Sequence, residues 1–138
     1  MIPVLVLTHG NLATELLQAA ETIDPSMTGH AAAMSLPWDV DSDEASKTLK
    51  RQLRELDQGE GTLILTDMFG GTATNLALAF LEPEKVEIVT GVNLPMLVKL
   101  GSLQGRPVTL HELANALTAA GQKSIRVASE FLHARATG

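Results

Sequence analysis

Cysteine is absent from the chain's 138 residues. Without a thiol there is no disulfide framework, no thiolate metal site and no cysteine nucleophile, which fits a reducing compartment. Positive charge is scarce too: ten lysines and arginines stand against sixteen acidic residues, giving a formal net charge of −6 and a pI near 5.1. A surface that binds nucleic acid neutralises phosphates with clustered basic residues, so the expected partners are proteins or small molecules, and no nucleic acid. No apolar run is long enough to span a bilayer, and the run near the N-terminus lacks the basic segment that precedes a signal peptide's core. The expectation is a cytoplasmic protein with no stable membrane insertion. There is no GxGxxG after the first apolar run and no GxxxxGK[ST] anywhere, so dinucleotide and P-loop readings fail at their first requirement.

What is present suits one compact unit. A chain of this length with 45% hydrophobic residues can bury one sizeable core, and the expectation is a single domain over residues 1–138. The stretch around which the rest is organised is Val4-Leu5-Val6-Leu7-Thr8-His9-Gly10-Asn11. Its apolar residues are continuous rather than alternating, as in a strand buried on both faces of a parallel sheet. His9 then stands at the strand's carboxyl end, where ligands bind in open α/β sheets, and Gly10 keeps the approach clear. A histidine there can also do no more than cap the strand.

After Asn11, a candidate N-cap, Leu12 to Ile23 carries Leu12, Leu16, Leu17, Ala19, Ala20 and Ile23 at helical spacing. Asp24-Pro25 ends that helix, and His30 to Leu36 reads as an alanine-rich second strand. Pro37-Trp38-Asp39 turns the chain into a helix starting at Asp41-Ser42-Asp43-Glu44 and running to about Gln58, with acidic residues where the macrodipole favours them. Its buried stripe is Ala45, Leu49, Leu53 and Leu56; its lysines and arginines cover a wet face. Thr62 to Thr66 is a third, wholly buried strand, and it stops at Asp67-Met68-Phe69-Gly70-Gly71-Thr72. Because a helix follows from Thr72, this turn aims backbone N–H groups into the crevice that His9 faces, as an anion site would. Equally, two glycines can serve only to make the turn tight. Lys85 to Thr90 is a fourth strand, followed by Gly91-Val92-Asn93-Leu94-Pro95 and a helix with Pro95 at its first position. Thr109-Leu110-His111-Glu112 has the form of a capping box for a last helix, Leu110 to Ala120, which Gly121 closes. Lys123 to Ala128 alternates polar and apolar residues as a half-exposed edge strand does, although a helix through Phe131 and Leu132 fits as well. His111 falls within that capping box and reads as a surface residue, and His30 and His133, without acidic or glycine-rich context, read as solvent-facing.

The β-α alternation indicates an α/β fold: a doubly wound, mostly parallel four-stranded sheet with helices on both faces, plus an antiparallel edge strand from the C-terminal segment.

Three stretches carry a resemblance: Leu7-Thr8-His9-Gly10; Leu65-Thr66-Asp67-Met68-Phe69-Gly70-Gly71-Thr72 with Asn75; and Gly91-Val92-Asn93-Leu94-Pro95-Met96-Leu97. In order and spacing they resemble the signature stretches of the enzyme IIA component of the mannose family of the bacterial phosphoenolpyruvate-dependent sugar phosphotransferase system. The sequence departs from that pattern where the family often has tryptophan for Phe69, and a small residue followed by proline for Thr72-Ala73. The resemblance implies that His9 is phosphorylated by the histidine-containing phosphocarrier protein and passes the group to a IIB component. It also implies a homodimer in which residues from about Ser124 to Ala128 join the sheet of the other subunit.

The residue types suit that chemistry. Imidazole is nucleophilic when neutral, and a histidine needs no separate base at neutral pH. A carboxylate at Asp67 bonded to Nδ1–H would leave the Nε2 lone pair free and stabilise the ring cation formed on phosphorylation. The amides of Gly70, Gly71 and Thr72, with the Thr72 hydroxyl, would hold the phosphoryl oxygens. Thr8, Gly10, Thr66, Asn75 and Asn93 would support the site, and no nucleotide, metal or other cofactor is needed. Two other readings stand beside this one. A stand-alone regulatory module could use the phosphorylation state of His9 as a signal to a partner protein without transport. A hydrolytic metal site at His9 and Asp67 would need about three protein ligands, and no third is evident.

Overall fold

The computed structural model describes residues 1–103 and 105–137. Its sheet has four strands in the order β2-β1-β3-β4, all parallel: β1 (Val4–His9), β2 (Ala31–Leu36), β3 (Thr62–Thr66) and β4 (Val86–Thr90). Among the described residues six α-helices surround it: α1 (Leu12–Ile23), α2 (Ser42–Leu56), α3 (Thr72–Leu78), α4 (Leu94–Ser102), α5 (Leu110–Lys123) and α6 (Ala128–Thr137).

Alternate side chains of each strand point to opposite faces, and the two faces are covered by different helices. Val4 and Val6 of β1 and Leu63 and Leu65 of β3 pack with Ala13, Leu17 and Ala20 of α1, Met96, Leu97 and Leu100 of α4, and Leu113 and Leu117 of α5. Leu5, Leu7 and Ile64 face the other way, onto Ala45, Leu49 and Leu53 of α2 and Ala73 and Ala77 of α3. Both central strands are thereby buried on both sides, which is why their sequences are apolar without interruption. From β1 the chain goes first to one side of the sheet, to β2, and later to the other, to β3. The space between the carboxyl ends of β1 and β3 is therefore the topological switch point.

The stripe expected on α1 is narrower in the fold: Ala13, Leu17 and Ala20 are buried, whereas Leu12 and Ile23, at the two ends of the helix, are exposed. Asn11 is the N-cap residue but makes no side-chain cap; instead the buried Thr8 hydroxyl accepts from the Ala13 N–H at 2.7 Å. Asp41 caps α2 by accepting from the Asp43 and Glu44 amides, and Thr109 with Glu112 forms the expected capping box.

Two expectations need correction. Gly121 does not close α5, which continues to Lys123. It is a buried helical position where α5 meets α4, and a Cβ there would stand 2.7 Å from Met96 Cγ. The glycine permits close packing rather than ending a helix. The antiparallel edge strand from the C-terminal segment is also absent among the described residues. Residues 125–127 are irregular, α6 begins at Ala128, and the pairing within the sheet is parallel throughout. The alternation of Ile125 and Val127 is too short to define a strand without a neighbouring edge, and both side chains stay in solvent. The local contact that forms instead places the Arg126 guanidinium 4.3 Å above the Phe131 ring, a cation–aromatic pairing compatible with the helix that follows. No helix among the described residues is long and apolar enough to cross a membrane.

Candidate functional site

The site lies where β1 and β3 end side by side. In-register parallel pairing runs from Val4 opposite Leu63 to Leu7 opposite Thr66, so Asp67, one residue beyond that last pair, and His9, two residues beyond it, emerge side by side at the switch point. Asp67 holds His9 twice through one oxygen: Oδ2 accepts the His9 backbone N–H at 3.0 Å and lies 2.8 Å from ring Nδ1. Its other oxygen, Oδ1, accepts the Met68 N–H at 2.9 Å. Both carboxylate oxygens are thus engaged. Burial pushes its pKa up, but the hydrogen bonds from His9 and Met68, with the histidine's charge, outweigh burial and leave it below the usual value.

The rest of the imidazole is enclosed on two further sides. Gly71 lies against its Cε1, close enough that a Cβ on Gly71 would be 3.3 Å from that atom. The Trp38 ring stacks on one face, centroids 5.5 Å apart and planes 15° from parallel. With Nδ1 taken by Asp67, a neutral ring is held in the tautomer whose Nε2 carries the lone pair. No hydrogen bond to Nε2 is made among the described residues. Gly71 is the N-cap of α3 and supplies no side chain to the first turn, so the helix's leading amides are not spent on a cap.

The expected residues divide into two groups. His9, Asp67, Gly10 and Gly71 converge, and Thr8, Thr66 and Thr72 sit immediately behind or beside them. Thr8 anchors the start of α1, while Thr66 pairs with the Thr74 hydroxyl at 2.6 Å, and that hydroxyl also donates to the Met68 carbonyl, bracing the turn after β3. Gly70 sits at the exposed tip of this turn with φ +84°. Asn75 is exposed on α3. Asn93 is committed elsewhere: its Oδ1 accepts the Met96 amide and its Nδ2 donates to the Gly121 carbonyl. Its part is to join α4 to α5.

Trp38 is the site residue that the sequence pattern does not reveal. In sequence it belongs to a turn, and only the adjacency of β2 to β1 brings it to His9. The one available signal is that the chain's single tryptophan stands two residues beyond a strand's carboxyl end. Around it the crevice is rimmed by apolar groups: Trp38, Met68 and Phe69 are 82%, 58% and 77% exposed. Among the described residues no group of three or more histidines and carboxylates could hold a metal ion. The arrangement can therefore present an oriented, neutral imidazole nitrogen to an incoming electrophile and stabilise the cation that results.

Known proteins share this chain's sequence pattern and fold. Residues 3–118 match the family model EIIA-man, described as PTS system fructose IIA component. The chain is 31% identical over 137 residues to the PTS system fructose-specific EIIA component of Bacillus subtilis (strain 168), covering 96% of this chain and 90% of that protein. Against the PTS system mannose-specific EIIAB component of Escherichia coli (strain K12) it is 27% identical over 126 residues, which is 91% of this chain but 39% of that longer protein. Its fold superposes with a TM-score of 0.80 on the PTS IIA protein associated with the fucose utilization operon from Streptococcus pneumoniae, at 30% identity, covering 96% and 97% of the two chains. The chain belongs to the EIIA-man family, the IIA phosphotransferase components of the sugar phosphotransferase system.

Proposed function

We propose that the chain, acting as one domain over residues 1–138, is a cytoplasmic phosphocarrier that takes a phosphoryl group onto His9 from the histidine-containing phosphocarrier protein and hands it to a IIB component during sugar uptake. The observation that carries this reading is the 2.8 Å contact between His9 Nδ1 and Asp67 at the switch point. The Nε2 lone pair forms a bond to phosphorus as the donor's N–P bond breaks, and the donor nitrogen keeps the electron pair. His9 keeps its Nδ1 proton, so the ring becomes cationic against the Asp67 carboxylate, and no base is needed. The amides of Gly70, Gly71 and Thr72 and the Thr72 hydroxyl receive the phosphoryl oxygens, at the start of α3 where the helix dipole favours them. Apolar Trp38, Met68 and Phe69 suit a surface that protein partners cover. Association into a homodimer belongs to the same reading, supported by the open edges that β2 and β4 leave on the sheet; a monomeric mass by light scattering at micromolar concentration would remove it.

The test is incubation with the phosphorylated carrier and its donor system. Label should appear on one residue, with the acid lability and base stability of a phosphohistidine, and should vanish in His9→Ala. Label that persists in that variant overturns the proposal.

A further inference from the structure

Trp38 is held over His9 by more than chance proximity. The Gly10 N–H donates to the Leu36 carbonyl at 2.8 Å, tying the turn after β1 to the last residue of β2, and Trp38 follows two residues later. Gly10 has φ +55°, and a Cβ on it would lie 3.2 Å from Trp38 Nε1 and 3.4 Å from Cε2. A bulkier residue at position 10 would crowd the indole. A tryptophan that only turned the chain would expose its large apolar ring for nothing, whereas here one face of the ring is spent on the imidazole while the residue stays 82% exposed.

We infer that Trp38 is a positioning residue for phosphoryl transfer at His9, an inference that rests on the phosphocarrier reading above. Asp67 fixes the ring at Nδ1 and Gly71 limits it at Cε1, but neither restrains tilting out of plane. A parallel indole face does. It also gains in attraction when the imidazole becomes cationic, because the face of an aromatic ring is its negative side. Its effect therefore grows as the N–P bond forms.

The test uses phosphoramidate as a small phosphoryl donor, so that no protein surface is involved. Nε2 attacks phosphorus, the P–N bond of phosphoramidate breaks, and ammonia leaves after taking a proton from water. Trp38→Ala should slow labelling of His9 by about two- to fivefold, the rate equivalent of one exposed cation–aromatic contact, and Trp38→Phe, which keeps a ring face, should recover most of it. In NMR spectra of the unphosphorylated protein, the His9 ring protons should lie upfield in the wild type and move downfield in Trp38→Ala. Because Trp38 is the chain's one tryptophan, its emission should also change on phosphorylation of the wild type. Equal phosphoramidate rates in wild type and Trp38→Ala would overturn the inference, as would ring-proton shifts that do not move. A slowing seen with the carrier protein alone would make Trp38 a docking contact and overturn it as well. A wild type labelled by phosphoramidate with the expected ratio, yet not by the carrier, would support the role of Trp38 and count against the partner. Failure of His9 to take label from either donor would overturn both.

Discussion

Two regions of this chain use similar residues to opposite ends. In the central strands, every residue from Val4 to Thr8 and from Thr62 to Thr66 is at most 2% exposed. In the segment after α5, Ile125, Val127 and Leu132 are 77%, 59% and 62% exposed. The apolar side chains are of the same kinds, so residue type does not decide the matter. What decides it is whether neighbours exist on both faces: β1 and β3 have strands beside them and helices above and below, and the tail has its own Arg126–Phe131 contact. The candidate site grows out of the first region, and its side chains inherit the order of the strands that carry them.

The largest effect should come from breaking the buried side of this comparison. Leu65→Ala removes a fully buried side chain one residue before Thr66 and two before Asp67, and should cost about 2–5 kcal/mol of stability in denaturant unfolding. A cost near zero would mean that the centre of the sheet is loosely packed. Next comes Asp67→Asn. Asparagine can accept a hydrogen bond but cannot neutralise a ring cation, so single-turnover phosphoryl transfer should fall on the order of 10- to 10³-fold. That is less than the roughly 10⁴-fold loss in a serine protease, where the carboxylate orients a histidine that must also move a proton. Circular dichroism should show the fold intact. Rates within about a factor of two would deny Asp67 any orienting role.

The same carboxylate predicts a pH dependence. Its folded pKa lies below the unfolded value of about 3.9, so the stability it contributes is fully present above that value and is lost as pH falls through it towards the folded pKa. The stability gap between wild type and Asp67→Asn should accordingly narrow as pH falls through the acid range; a gap that widens in acid would reverse the sign. The smallest effect belongs to the tail. Leu132→Ser should shift the stability of the folded subunit by no more than about 0.5 kcal/mol, and a loss of about 2 kcal/mol or more would show that this helix is packed in solution.

Much of this is legible from the residues alone. Continuous apolar runs ending in His9 and Asp67 mark β1 and β3, and parallel pairing makes their ends meet, because β1 and β3 are adjacent and in register. The place of Trp38 against His9 is not legible, because nothing local reveals that β2 lies beside β1. Gly121 misleads because a glycine near the end of a helical pattern looks like a C-cap. Only the fold shows Met96 pressing on the space where its side chain would be. The tail misleads because a few alternating residues satisfy a strand's period without supplying its partner.

Asp67 Oδ2 takes both the backbone N–H and the ring nitrogen of the same histidine. Such a grip ties the main chain and the ring of one residue to a single oxygen, so the imidazole cannot turn away without giving up its contact with Asp67. In the proposed phosphocarrier such a histidine has no arm to swing from a giver to a receiver. With Nδ1 committed, one face covered and Cε1 hemmed in, a single doorway remains at Nε2. Whatever brings a group to the ring and whatever takes it away must use that doorway in turn, one leaving before the other can enter.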